Sequence, residues 1–177
     1  APMRCAGCGG KVSGSVLSHV LQRLEIPANE QVLLGLDQPD DAAVVRPLDG
    51  APITVTADFF KPPLDDPYLS GRIAALNAAS DVFAMGAQPV AALTLAILLA
   101  GKPRQQEQLL YELLAGSLDE FRRMGATLVG GHTIEGSEVT IGFTMLANQL
   151  GGPRTKADLR TGDALVLTKP LGTGVLL

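Results

Sequence analysis

Apolar residues recur along this chain with two periods, and the switches between them predict most of its elements. Over residues 14–25, Val16, Leu17, Val20, Leu21 and Leu24 fall at helical spacing, with Ser13 or Ser15 placed to cap the segment. Residues 31–36 and 42–46 read as short strands, and residues 53–59 alternate as another. The turn signal Pro47-Leu48-Asp49-Gly50 joins the last two into a hairpin. After a Pro/Asp loop over 61–67, residues 68–85 predict a long Ala-rich helix closed by Gly86. Residues 103–124 predict a charged amphipathic helix closed by Gly125. Between the two, the apolar run 89–99 is expected as a buried strand. Further strands are expected over 126–129, 139–148 and 164–168, with Gly130-Gly131-His132-Thr133 as a turn after the first. Helices interspersed with a hairpin predict an α+β fold, a mixed or antiparallel sheet with helices packed on one face, rather than a doubly wound parallel sheet.

Composition narrows the function classes. The chain has 177 residues, of which 46% are hydrophobic and 18% charged, enough for a real core. Its net charge is −4, no stretch is rich in Lys or Arg, and there is no Trp, so neither a phosphate-neutralising face nor a base-stacking platform is expected: no nucleic acid. The longest apolar run, 89–100, is shorter than the ~20 residues of a membrane span, so no membrane is expected either. Cys5 and Cys8 do not make a disulfide framework, and the opening Ala1-Pro2-Met3-Arg4 has no apolar signal region, so the expected location is cytoplasmic. The acidity is local. Residues 37–81 carry a net −5 and the rest of the chain +1.

Three constellations could carry chemistry. In Gly7-Cys8-Gly9-Gly10-Lys11 a thiol stands beside a cation in a loop that allows close approach. That reads as an activated nucleophile with a phosphate-binding lysine, or equally as a solvent-facing terminus. A zinc site is disfavoured, because no second Cys pair supplies the remaining ligands. The second set is Asp40, Asp41, Asp58 and Asp81. Carboxylates of this kind hold Mg²⁺ together with substrate phosphates and water. Asn77 and Asp81 share a helix face among apolar neighbours, so both need partners, unless that face is simply solvated. Asp65 and Asp66 read as turn residues. The third is Gly130-Gly131-His132-Thr133, whose glycines can offer N–H groups to a phosphate, although it is not a Walker loop and His132 could equally end a strand.

Taken together these runs resemble the N-terminal part of the selenophosphate synthetase (selenide, water dikinase) family. They are Gly7–Lys11, Asp40-Asp41-Ala42-Ala43-Val44, Thr56-Ala57-Asp58-Phe59-Phe60, Gly71-Arg72-Ile73 through Asp81-Val82-Phe83-Ala84-Met85-Gly86, Gly130–Thr133 and Leu167-Thr168-Lys169-Pro170-Leu171-Gly172 onward. The resemblance implies ATP-dependent synthesis of selenophosphate from selenide and water, releasing AMP and phosphate. It implies ATP and Mg²⁺, with K⁺ a further candidate, in a superfamily with aminoimidazole ribonucleotide synthetase and thiamine-monophosphate kinase. It also implies a homodimer whose strands pair into a central β-barrel. On it, Cys8 handles selenide with Lys11 as its catalytic partner. Asp41 and Asp81 bind metal. Lys11, Gln38, Pro39, Asp40, Asp58 and Asp81 form the nucleotide site, with Gly131, His132 and Thr133 reaching ATP from the partner subunit. Many relatives carry a second Cys where Gly10 stands, which leaves Cys5 as the alternative resolving thiol. The expected organisation is a flexible catalytic loop over 1–13, an ATP- and metal-binding domain over 14–155, and the start of a C-terminal domain over 156–177. The Met3-Arg4-Cys5 opening resembles versions fused behind an oxidoreductase domain. The alternatives are a non-catalytic dimerisation and nucleotide-binding module, or another ATP-dependent kinase of the superfamily.

Overall fold

The computed structural model describes residues 30–35, 40–46 and 50–168. The segment expected as the first helix, the loop bearing Cys8 and Lys11, the pair Gln38 and Pro39, and the run from Lys169 onward all lie outside the described residues.

Alternation builds the sheet. Strands β1 (Val32–Leu34), β2 (Ala43–Val45) and β3 (Ile53–Phe60) form an antiparallel meander. β3 turns Thr54, Thr56 and Phe60 inward and leaves Phe59 exposed, as a period of two requires. β4 (Ala87–Leu99), β5 (Thr127–Gly136) and β6 (Thr140–Gln149) complete six strands in the order β1-β2-β3-β6-β4-β5. All neighbours are antiparallel except β4 and β5. A parallel pair needs a long crossover, and helix α2 (Pro103–Met124) supplies it.

Helix α1 (Pro67–Ala84) precedes β4. Asp66 caps it by accepting from the Leu69 N–H at 2.9 Å, and Pro67 fills its first position. α2 ends on Gly125 at φ 75°, a left-handed position that glycine takes at no steric cost. Both helices pack over one face of the sheet. The small inward residues of α1 (Ala74, Ala75, Ala78, Ala79, Val82) lie against Ile141, Phe143 and Met145 of β6, and Phe121 of α2 meets Phe143 edge-on at 4.9 Å. The helices themselves nearly touch. A Cβ on Gly71 would fall 1.9 Å from the Leu113 carbonyl oxygen, and one on Gly116 would fall 2.0 Å from that of Tyr68.

Two expectations are corrected. Gly130-Gly131-His132-Thr133 is not a turn after a short strand, because β5 continues through it to Gly136. The pairing register slips between Ala92 and Leu93, so Val129 is an extra residue. The glycines then let β5 rejoin β4, with Gly131 so close that a Cβ there would lie 2.2 Å from the Thr94 carbonyl oxygen. Residues 164–168 form no strand. Leu165, Val166 and Leu167 are exposed and no described strand lies beside them, and apolar alternation without a neighbour to bond makes no ladder.

Candidate functional site

The site begins with two bridges from β3 to α1. Residues two apart on a strand face the same way about 6.6 Å apart, and residues four apart on a helix rise about 6 Å, so the two spacings match. Thr56 and Asp58 thus meet Asp81 and Asn77 in parallel. The Thr56 hydroxyl donates to Asp81 Oδ2 at 3.1 Å, and Asn77 Nδ2 donates to Asp58 Oδ2 at 2.6 Å. Half-buried Asp81 thus has a donor, while Asn77 is exposed, so its bond to Asp58 is not one that burial demands.

Asp40 and Asp41 stand just before β2. Asp40 accepts from the Asp41 N–H at 2.8 Å and from the Lys156 N–H at 3.0 Å. The Lys156 ammonium donates to Asp41 Oδ1 at 2.5 Å and lies 3.8 Å from Asp40 Oδ1. The two backbone N–H bonds, with the ammonium beside them, hold the Asp40 carboxyl below its ordinary range. The bond to Asp41 raises the Lys156 ammonium above its own, with the charges of Asp41, Asp40 and Asp81 adding to the effect. Asp40 and Asp41 therefore share one ammonium by direct contact, and Asp81, on a helix far away in sequence, adds only its charge to the rise. Among the described residues, no three His, Cys, Asp or Glu side chains group tightly enough to hold a metal ion unaided.

Not every expected residue joins this cluster. His132, on β5 at the opposite end of the strand order from β1, pairs with Leu95 of β4. It lines a shallow depression of about 200 Å³ with Phe59, Leu95, Ile97 and Ile134, on the sheet face turned away from the helices. β6 and β4 separate β5 from β3, three strand spacings or roughly 14 Å. Within one chain, Gly131, His132 and Thr133 are thus not brought to the aspartates. Thr56 and Lys156 belong to the site without having been singled out for it. Thr56 could have been found as the same-face neighbour of Asp58. Lys156, which lies beyond β6, carries no local signal.

A family model described as AIR synthase related protein, N-terminal domain, matches residues 39–148. The chain belongs to this family. Within it, the chain is 42% identical over 173 residues to the selenide, water dikinase of Pelobacter propionicus, a match that covers 97% of this chain and 49% of that protein. The chain spans about half the length of the curated relatives it matches. Among solved structures, it resembles tt0281 from Thermus thermophilus with a TM-score of 0.64 and 26% identity, over 80% of this chain and 45% of that one. It also shares its fold with AaThiL, solved in complex with AMPPCP and TMP, at a TM-score of 0.58 and 17% identity over 75% and 40% of the two chains. The α+β architecture expected from the sequence is thus the family's. No helix among the described residues is long and apolar enough to cross a membrane.

Proposed function

We propose that the chain corresponds to the N-terminal, nucleotide- and metal-holding half of a selenide, water dikinase, which makes selenophosphate from selenide, ATP and water and releases AMP and phosphate. The observation that carries this reading is that Asp40 and Asp41 share one cationic group, the Lys156 ammonium, while Thr56 holds the carboxylate of Asp81. The donors are all oxygen. They fit a hard cation that completes its shell with water and phosphate, as Mg²⁺ does, better than they fit a metal that prefers nitrogen or sulfur. Asp41 and Asp81 would hold that ion, which when bound neutralises charge on the transferring phosphates.

The chain's own residues do the rest. Thr56 fixes the Asp81 carboxylate, and Asn77 fixes that of Asp58 for the nucleotide. Asp40 would serve the nucleotide together with its sequence neighbours Gln38 and Pro39, with Lys11 as a charge partner for phosphate. The Cys8 thiolate handles selenide. Gly131, His132 and Thr133 serve a second copy: their place on an edge strand, with His132 on the helix-free face beside exposed Phe59 and Ile134, suits a homodimer in which each sheet completes the other's nucleotide site. The cytoplasm, with K⁺ as a further cofactor, suits this reading.

A second reading is a module that dimerises and binds nucleotide without turnover. It is favoured by the engagement of Asp40 and Asp41 with Lys156, whose ammonium already occupies Asp41 and offsets part of their charge. AMP formation from ATP, selenide and Mg²⁺ by the full-length enzyme separates the two. Cys8→Ala and Asp81→Ala are each expected to abolish it, and turnover unchanged by both would sink the assignment.

A further inference from the structure

Lys156 makes three contacts at the site through two different groups. Its backbone N–H is bonded to Asp40, while its ammonium bonds Asp41 and stands beside Asp40. The backbone is firmly placed. Just before it, the Arg154 N–H donates to the Met85 carbonyl oxygen at 3.2 Å, and Gln149 Nε2 donates to the same oxygen at 3.0 Å, tying this stretch to the end of α1. The Lys156 side chain is different: it is 65% exposed, while that of Asp40 is 8% exposed. A compact charge on a flexible four-carbon stem has therefore been delivered to fixed carboxylates by a fixed backbone.

We propose that Lys156 is the site's built-in counter-cation. It offsets one of the two charges of the Asp40–Asp41 pair before a divalent cation arrives, and it yields Asp41 when that cation binds. This rests on the reading of Asp41 and Asp81 as metal ligands. Without Lys156, the adjacent carboxylates of Asp40 and Asp41 would repel each other with no cation between them, and the turn before β2 would lose its tie to Asp41. With it, the turn is held ready, but an incoming ion must displace a tethered competitor. Lys156 thereby lowers metal affinity while nucleotide is absent. The backbone bond to Asp40 survives the exchange, because it needs no ammonium. Lys156 is a positioning residue, and its signature is a trade between order without metal and affinity for metal.

Mn²⁺ binding to the full chain without nucleotide, followed by electron paramagnetic resonance, tests this directly. Lys156→Met is expected to tighten Mn²⁺ roughly two- to five-fold, the range set by loss of an exposed ion pair. Lys156→Gln should do the same with its polarity kept, while Lys156→Arg stays near the wild-type value. In metal-free buffer the Met and Gln variants should melt below wild type, and Mn²⁺ should raise their melting temperatures by more. Unchanged or weaker Mn²⁺ binding in Met and Gln variants that circular dichroism shows folded overturns the inference. Binding lost in Asp81→Asn but insensitive to Lys156 would leave the metal reading standing and remove only the role of Lys156. Failure of the wild type to bind Mn²⁺ at all would overturn both.

Discussion

Thr56 donates its hydroxyl to the Asp81 carboxylate at 3.1 Å, joining the middle of β3 to the last turn of α1. Thr56 is buried, so removing its hydroxyl takes a donor from a charged group that water reaches poorly. Thr56→Val keeps the shape and is expected to cost about 1–2 kcal/mol. Denaturant titration should show a lower midpoint at unchanged slope, and Mn²⁺ affinity should fall because Asp81 is no longer fixed. A variant as stable as wild type would mean the bond contributes nothing.

The crossing of α1 and α2 tolerates no side chain at its centre. The Ser117 hydroxyl lies within reach of the Gly71 carbonyl oxygen at 3.0 Å and that of Leu113 at 2.8 Å, donating to one at a time. Gly71→Ala and Gly116→Ala each drive a methyl into backbone that cannot retreat without breaking this contact. Each should destabilise by about 3 kcal/mol, at the upper end of overpacking costs. Thermal melts that move by less than a degree or two would show that the helices separate easily.

Gly131→Ala meets both a backbone clash with Thr94 and an unfavourable φ of 148°. The expected result is local: faster amide exchange along β5, with α1 and β6 still protected. If the nucleotide reading holds, ATP affinity falls as well. Unaltered exchange in β5 would count against the close approach.

Tyr68 and Asp119 form a short hydrogen bond between the helices. It lowers the Asp119 pKa and raises that of Tyr68. Unfolded Asp119 then binds protons more readily than folded Asp119, so this contribution is present above the ordinary value of 3.8 and is lost as pH falls through the lowered native one. For Tyr68 the sign reverses: its contribution is present below 10.0 and is lost as pH climbs through the raised native value. Tyr68→Phe should flatten both limbs of a stability–pH curve. Limbs parallel to wild type would disprove the coupling.

Local chemistry is legible in the sequence wherever it is also decisive. α2 runs from Pro103 to the Gly125 cap because Pro at a helix start and Gly at its end act within a few residues. The β2–β3 hairpin follows for the same reason. The need of Asp81 for a partner is visible, because a half-buried carboxylate among alanines cannot stay bare, whereas Asn77 lies on the exposed side and has water as well as Asp58. The identity of those partners depends on register between β3 and α1, which no local pattern encodes. Read locally, β5 ends too early because a Gly pair usually signals a turn; here close approach of β4 demands it instead. Residues 164–168 have strand-like side chains but lack the neighbour that would make them a strand. Lys156 is invisible because it meets Asp41 across 115 positions of sequence.

The sheet order has a consequence for biosynthesis. β6 lies between β3 and β4 and supplies the central core residues Ile141, Phe143 and Met145, yet among the described strands it is the last to be made. At translation speeds of about 5–20 residues per second, the interval from Phe60 to Thr140 lasts roughly 4–16 s. During it β3, and β4 once it has been made, lack the neighbour that β6 will later supply, and the alanine face of α1 has no floor. The ordering of the aspartates thus waits on a strand that contributes none of them, and a ribosome paused before Thr140 holds a polypeptide exposed to chaperones and to its own neighbours.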